Sequence, residues 1–204
     1  MAVKEKVFSL EDFEKFLSVC DDRMYRLMFI LAFITGLRLG EARGLQAKSF
    51  DGKSLSVFQI ASSKLRVGKS VLTSPKSKDS FRTYVLPGFL SDMLQSYIAE
   101  GGLSGDDYLF HSSRGADFIL GETTVNRVLS DLCKKAGIPH INFHMFRHTE
   151  ASFLNQEGVD DKMIADWLGH SSSEVTKKYY IHTTDGEKEK IASILDDKYK
   201  DLFR

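Results

Sequence analysis

Apolar positions recur at helical spacing along most of the chain and change to a period of two in one stretch, Ser54 to Pro87. Ser9-Leu10-Glu11-Asp12 has the form of a capping box, and Phe13, Phe16 and Leu17 follow at helical spacing, which predicts a first helix. From about Asp22, Met24, Leu27, Met28, Leu31 and Ile34 make one broad stripe that Phe29, Ile30 and Phe33 widen, the pattern of a buried helix ending at Thr35-Gly36. A short helix is expected over Leu37 to Leu45, with Arg38 near its start and Glu41 three residues on. Leu55, Val57 to Ile60, Val71-Leu72 and Phe81 to Leu86 read as strands, with a turn rich in Ser, Pro and Asp carrying Lys76 and Lys78 at a hairpin tip. Helices are expected again over Gly88 to Glu100, after a Gly-rich connection over Thr123 to Ala136, from residue 143 to Gly158, and from Asp160 or Asp161 to Leu168-Gly169. A further helix starts at Ser173-Glu174 and carries Tyr179 and Tyr180, and a last one runs from Gly186 to Phe203. No internal repeat or linker interrupts this order, so the expectation is a single domain over 1–204 of α+β class, mainly α-helical with a small antiparallel three-stranded sheet.

Composition narrows the class. With 204 residues, 42% apolar and 27% charged, the chain has the make-up of a globule with a genuine core. Lys plus Arg and Asp plus Glu are both 28, so nothing global advertises nucleic acid. Between Lys64 and Arg82, however, Lys64, Arg66, Lys69, Lys76, Lys78 and Arg82 face only Asp79, and a phosphate backbone responds to such local charge. Cys20 and Cys133 sit in apolar-periodic contexts and form no C-x-x-C pair, the pattern of buried free thiols in a reducing compartment. The longest apolar run, Leu27 to Ile34, falls short of the ~20 residues of a membrane span. Met1 to Glu5 has no signal-peptide apolar region, so the expected location is the cytoplasm, with no membrane partner.

Candidate chemistry concentrates at Phe143-His144-Met145-Phe146-Arg147-His148-Thr149. His144 and Arg147 are i and i+3 on a helix, so an imidazole and a permanent cation share one face. A guanidinium can fork onto two non-bridging oxygens of a phosphate while an imidazole donates or accepts one proton beside it. His144 and His148 are also i and i+4, as in the zinc motif H-E-x-x-H, but Met145 stands where the glutamate belongs.

Taken in order, Thr35-Gly36-Leu37-Arg38-Leu39-Gly40-Glu41, Lys76-Ser77-Lys78-Asp79-Ser80-Phe81-Arg82-Thr83, His144 to Thr149, Leu168-Gly169-His170-Ser171-Ser172 and Thr176 to His182 closely resemble the catalytic motifs of the tyrosine recombinases, the phage-integrase family. The resemblance runs from about Phe8 to the C-terminus and implies that family's catalytic-domain fold. It implies that Arg38 and Arg147 clamp a scissile phosphate, that Lys76 is the hairpin lysine, that His144 and His170 complete the pocket, and that Glu41 supports Arg38. For the nucleophile two tyrosines compete: Tyr179 lies nine residues after His170 and Tyr180 ten, and Tyr180-Ile181-His182 fits the family's Y-x-H ending, which favours Tyr180. Such chemistry implies no cofactor: it needs no metal, because two guanidiniums and an imidazole meet the charge that develops on the phosphate, and no ATP, because the phosphotyrosine conserves the free energy of the broken bond. The implied partners are double-stranded DNA, other copies of the chain in a synaptic tetramer on DNA, and a directionality factor.

The resemblance also implies integration or excision of a mobile element, with resolution of chromosome dimers as the neighbouring role. Lys64, Lys69, Lys78 and Arg82 are the expected DNA contacts. The alternative outside enzymology is a non-catalytic DNA-binding module. Family members usually carry an N-terminal core-binding domain and often an arm-binding one; neither is expected here, which predicts weak, strongly salt-dependent binding. For the helix from Gly186 to Phe203, packing on its own domain and docking on a neighbouring copy are both open.

Overall fold

The computed structural model describes residues 8–62, 72–73, 82–169 and 184–203. Ser9 opens the first helix, α1 (Leu10–Ser18), through the reciprocal cap: its hydroxyl accepts the Asp12 N–H and the Asp12 carboxylate accepts the Ser9 N–H. Asp22 caps α2 (Arg23–Thr35) by accepting the Tyr25 N–H at 3.1 Å, and every residue from Leu27 to Thr35 is buried. An element with no polar face must lie at the centre of the fold, and α2 does. The short α3 (Leu39–Gly44) follows at once.

Strands β1 (Ser54–Val57), β2 (Ile60–Ala61), β3 (Leu72–Thr73) and β4 (Arg82–Val85) form two short antiparallel ladders among the described residues, β1 with β4 and β2 with β3. Leu55 stands opposite Tyr84 and Val57 opposite Arg82. Glycines let this sheet lie directly on α3. A Cβ at Gly40 would sit 2.9 Å from the Ala61 carbonyl oxygen, and one at Gly44 2.9 Å from that of Gln59. The Gln59 side-chain amide closes the contact by donating to the Gly44 carbonyl at 2.7 Å.

Beyond the sheet come α4 (Gly88–Gly101), a hairpin of β5 (His111–Ser112) and β6 (Gly115–Ile119), then α5 (Glu122–Ala136), α6 (Phe143–Gln156), α7 (Asp161–Leu168) and α8 (Asp185–Tyr199). The β5–β6 hairpin replaces the plain Gly-rich connection read from the sequence, because residues 115–119 extend and pair back on 111–112. The expected hairpin tip with Lys76 and Lys78, and the expected helix with Tyr179 and Tyr180, lie outside the described residues. No helix among the described residues is long and apolar enough to cross a membrane.

The core is unusually aromatic, and Phe146 of α6 is its hub. Its ring lies 5.5–6.3 Å from those of Phe8, Phe13, Phe16, Phe29, Phe33 and Phe143, which belong to or flank α1, α2 and α6. So many edge-to-face partners fix the rotation of α6 about its axis. The end of α8 enters the same cluster: Tyr199 lies 5.7 Å from Phe33, and Phe203 5.7 Å from Phe13. The C-terminal helix therefore packs on its own domain.

Candidate active site

The site begins at the end of α2. Gly36 adopts the left-handed conformation, φ 62°, that ends the helix and turns the chain into α3. The turn leaves the Gly36 carbonyl facing α6, where it accepts the Arg147 Nη1–H at 2.9 Å. Since Phe146 locks α6 in the core, the adjacent Arg147 is delivered to this turn, and the residue is only 5% exposed. Two residues past Gly36, Arg38 is the N-cap of α3. Glu41, one helical turn on, accepts the Arg38 backbone N–H through Oε2 (2.8 Å) and its guanidinium through Oε1 (2.9 Å). The free edge of Arg38 reaches across to the end of α7, where Nη2 donates to the Gly169 carbonyl at 2.9 Å.

A third arginine completes the group. Arg82 leaves β4 on the same side as Tyr84, two residues on, and donates Nη2–H to Glu41 Oε2 at 2.6 Å and Nε–H to the Tyr84 hydroxyl. Tyr84 is buried and meets Trp167 of α7 edge to face at 4.9 Å. The basic stretch from Lys64 to Arg82 marks Arg82 as an expected DNA contact. Its side chain is instead 9% exposed, because strand alternation puts it on the inward side with Tyr84 while Thr83 faces out. That i, i+2 relation was the signal available in the sequence; the missing information was that Glu41 lies under it.

Electrostatics follow from the count. Glu41 pairs with two guanidiniums, Arg38 and Arg82, and a third, Arg147, lies close enough to feel the charges of all three. Burial, joined by the positive charges of Arg38 and Arg82, pulls Arg147 down to about 10. For Arg82 burial acts in the same direction, but the Tyr84 and Glu41 oxygens outweigh it and hold the group above its ordinary value. Arg147 thus stays cationic at neutral pH, and a buried guanidinium is suited to stabilising an anion whose charge develops beside it. Another buried arginine, Arg43, plays a different part. Its Nε donates to the Leu120 carbonyl (2.7 Å) and Nη1 to Glu122 (3.3 Å), bracing α3 against the start of α5.

The structure therefore brings Arg38, Glu41 and Arg147 together and adds Arg82. His144 stands exposed in the first turn of α6, and His148 is exposed as well. No group of three His, Cys, Asp or Glu side chains suited to a metal ion occurs among the described residues. Lys64, Lys69, Lys76, Lys78, His170, Tyr179 and Tyr180 lie outside the described residues.

Known proteins share both the sequence and the architecture. The model of the phage integrase family matches residues 6–187. A tyrosine recombinase XerC-like protein of Caldanaerobacter subterraneus subsp. tengcongensis is 30% identical over 213 residues, covering 95% of this chain and 54% of that protein. The ICEBs1 integrase of Bacillus subtilis is 30% identical over 205 residues, covering 95% of this chain and 55% of that protein. The chain thus spans about half the length of these curated relatives. Among solved structures, the Tn1549 transposon integrase in complex with transposon right end DNA aligns over 92% of this chain and 65% of its own, with a TM-score of 0.70 at 21% identity. A XerA recombinase aligns over 91% of this chain and 62% of its own, with a TM-score of 0.63 at 24% identity. From the arginine-bearing turn after α2 to the end of α7, the site lies wholly within the matched span, and the chain belongs to the phage integrase family.

Proposed function

We propose that this chain carries the catalytic part of a site-specific DNA recombinase that breaks and rejoins strands through a 3′-phosphotyrosine, in the integration or excision of a mobile element. The observation that carries the reading is the convergence of Arg147, held on the Gly36 carbonyl, and Arg38, held on the Gly169 carbonyl and oriented by Glu41. The named relatives support it: two of them are a XerC-like tyrosine recombinase and the ICEBs1 integrase.

In this mechanism the scissile phosphate lies between Arg38 and Arg147. As the phenolate oxygen of Tyr180 bonds to phosphorus, charge grows on the non-bridging oxygens and the two guanidiniums meet it where it develops. A phenol is a poor nucleophile at neutral pH, so His144 takes its proton. The bond to the 5′ oxygen breaks, and Lys76 protonates that oxygen to give the leaving 5′-hydroxyl. His170 donates to the same phosphate. A 5′-hydroxyl from a second duplex then attacks the phosphotyrosine, restores the phosphodiester and frees Tyr180, so no ATP is consumed. Lys64, Lys69 and Lys78 bind the flanking phosphate backbone, copies of the chain assemble on the paired sites, a directionality factor sets the sense of the reaction, and the protein works in the cytoplasm.

A nicked duplex that loses its short 5′-hydroxyl fragment on cleavage traps the covalent adduct. The expected product is a peptide carrying the 3′-phosphate on Tyr180, absent in Tyr180→Phe. Recovery at Tyr179 moves the nucleophile by one residue. DNA bound but never cleaved supports the second reading, a DNA-binding module without catalysis.

A further inference from the structure

Arg82 makes no use of its position at the edge of the sheet to reach solvent; its contact with Glu41 and its packing against Gly169 both lead back to Arg38, while its Nε–H is taken up by the Tyr84 hydroxyl. It donates to Glu41 Oε2, the same oxygen that accepts the Arg38 backbone N–H, while Oε1 of that carboxylate orients the Arg38 guanidinium. Its other face lies on Gly169. A Cβ there would collide with Arg82 Nη1 and come within 2.8 Å of Cζ, and Gly169 supplies the carbonyl that holds Arg38 Nη2. Both anchors of Arg38, the carboxylate and the carbonyl, are therefore themselves seated against one buried guanidinium. Nη1 of Arg82 is buried and has no hydrogen-bond partner among the described residues, so the side chain is placed by these contacts despite an unmet donor.

From this juxtaposition we infer that Arg82 is a positioning residue: it fixes the rotamer of Glu41 and the path of the chain at Gly169, and so aims Arg38 at the phosphate without touching that phosphate itself. The inference rests on the recombinase reading for its catalytic consequence, but not for its geometry. A buried carboxylate with one guanidinium can swing between hydrogen-bonding arrangements; with a second one on its other oxygen it has a single arrangement. Gly169 becomes intelligible on the same basis. It is left-handed at φ 65°, and it leaves the space that the Arg82 guanidinium fills.

The test uses Arg82→Met, Arg82→Lys, Glu41→Gln and the double variant Arg82→Met with Glu41→Gln, in single-turnover cleavage of the nicked duplex and in DNA binding. A misplacement of about 1 Å costs on the order of 100-fold in rate, so Arg82→Met is expected to cleave about 100-fold more slowly at saturating DNA with its affinity within twofold of the parent. Arg82→Lys recovers most of the rate. The double variant is no slower than the slower single one, because both break the same link, and circular dichroism of each variant checks that it is folded. Affinity falling in step with rate, or losses that multiply in the double variant, would show Arg82 on the phosphate and overturn the proposal. Should the parent chain cleave nothing, the recombinase reading fails and this one is still decided. Stabilisation of the same four variants against heat by inorganic phosphate needs no cleavage, and there too the proposal requires the two losses not to add.

Discussion

Glu150 sits on α6, one turn beyond Arg147, with its residue 0% exposed and neither carboxylate oxygen hydrogen-bonded among the described residues. Burial alone pushes this carboxyl well above the ordinary range, which favours its protonated form in the folded protein. Tyr199 of α8 lies within electrostatic reach. Its phenol is pushed up as well, by burial first and then by Glu150 and Glu157, and stays neutral. In the unfolded chain a glutamate titrates near ~4.3. Above that pH the unfolded state sheds a proton that the folded state keeps, so folding stability falls as pH rises; below it the contribution is fully present. Each pH unit over which only the folded protein holds the proton costs up to about 1.4 kcal/mol. Glu150→Gln keeps the shape and removes the titration. Urea unfolding followed by circular dichroism, for both proteins at pH 5 and pH 7, is expected to show the variant gaining up to that much per pH unit relative to the parent as pH rises. Other titrating groups are common to both proteins and cancel in the difference. At roughly 2–4 °C per kcal/mol for a chain of this size the gap is also visible as a melting shift. Parallel pH profiles for the two proteins would refute the reasoning, since they would mean that Glu150 is ionised or solvated in the fold.

Three further outcomes follow from the site. Gly36→Ala combines a left-handed residue with a Cβ driven into Leu168 and 3.4 Å from Arg147 Cγ, and is expected to cost about 2–4 kcal/mol in urea unfolding and to slow cleavage by displacing both arginines. Glu41→Ala strands the buried Arg82 and frees Arg38, with an expected loss of about 3–5 kcal/mol by the same assay; a loss below about 1 kcal/mol would mean that the ion pairs are not formed in solution. Replacing Lys64, Lys69 and Lys78 together by Ala is expected to flatten the dependence of log affinity on log salt by roughly 0.9 for each phosphate contact removed, and an unchanged slope would take the DNA from these lysines.

Helices were largely legible in the chain because their determinants are local. Ser9 with Asp12 and the unbroken apolar run from Leu27 to Ile34 place α1 and α2 within a residue or two of the structure. The β5–β6 hairpin was not legible, since five residues with two exposed positions give too weak an alternation to stand out from a loop. At the site, Arg38, Glu41 and Arg147 could be named from motif order, and Arg38 with Glu41 from helical spacing as well. Arg82 was misplaced for a physical reason: a basic residue beside a lysine-rich turn looks like surface, and only the tertiary approach of β4 to α3 puts a carboxylate beneath it. Glu150 shows the same limit from the other side, because nothing local marks a glutamate that only the tertiary fold buries without a hydrogen-bond partner among the described residues.

The most direct test of the arginine pocket is anomalous diffraction from crystals of the chain soaked with tungstate, a tetrahedral oxyanion that stands in for the scissile phosphate. The account predicts one dominant peak within hydrogen-bond distance of both the Arg38 and the Arg147 guanidinium, lost in Arg147→Ala. Separate ions on the two arginines, or none between them, would contradict it.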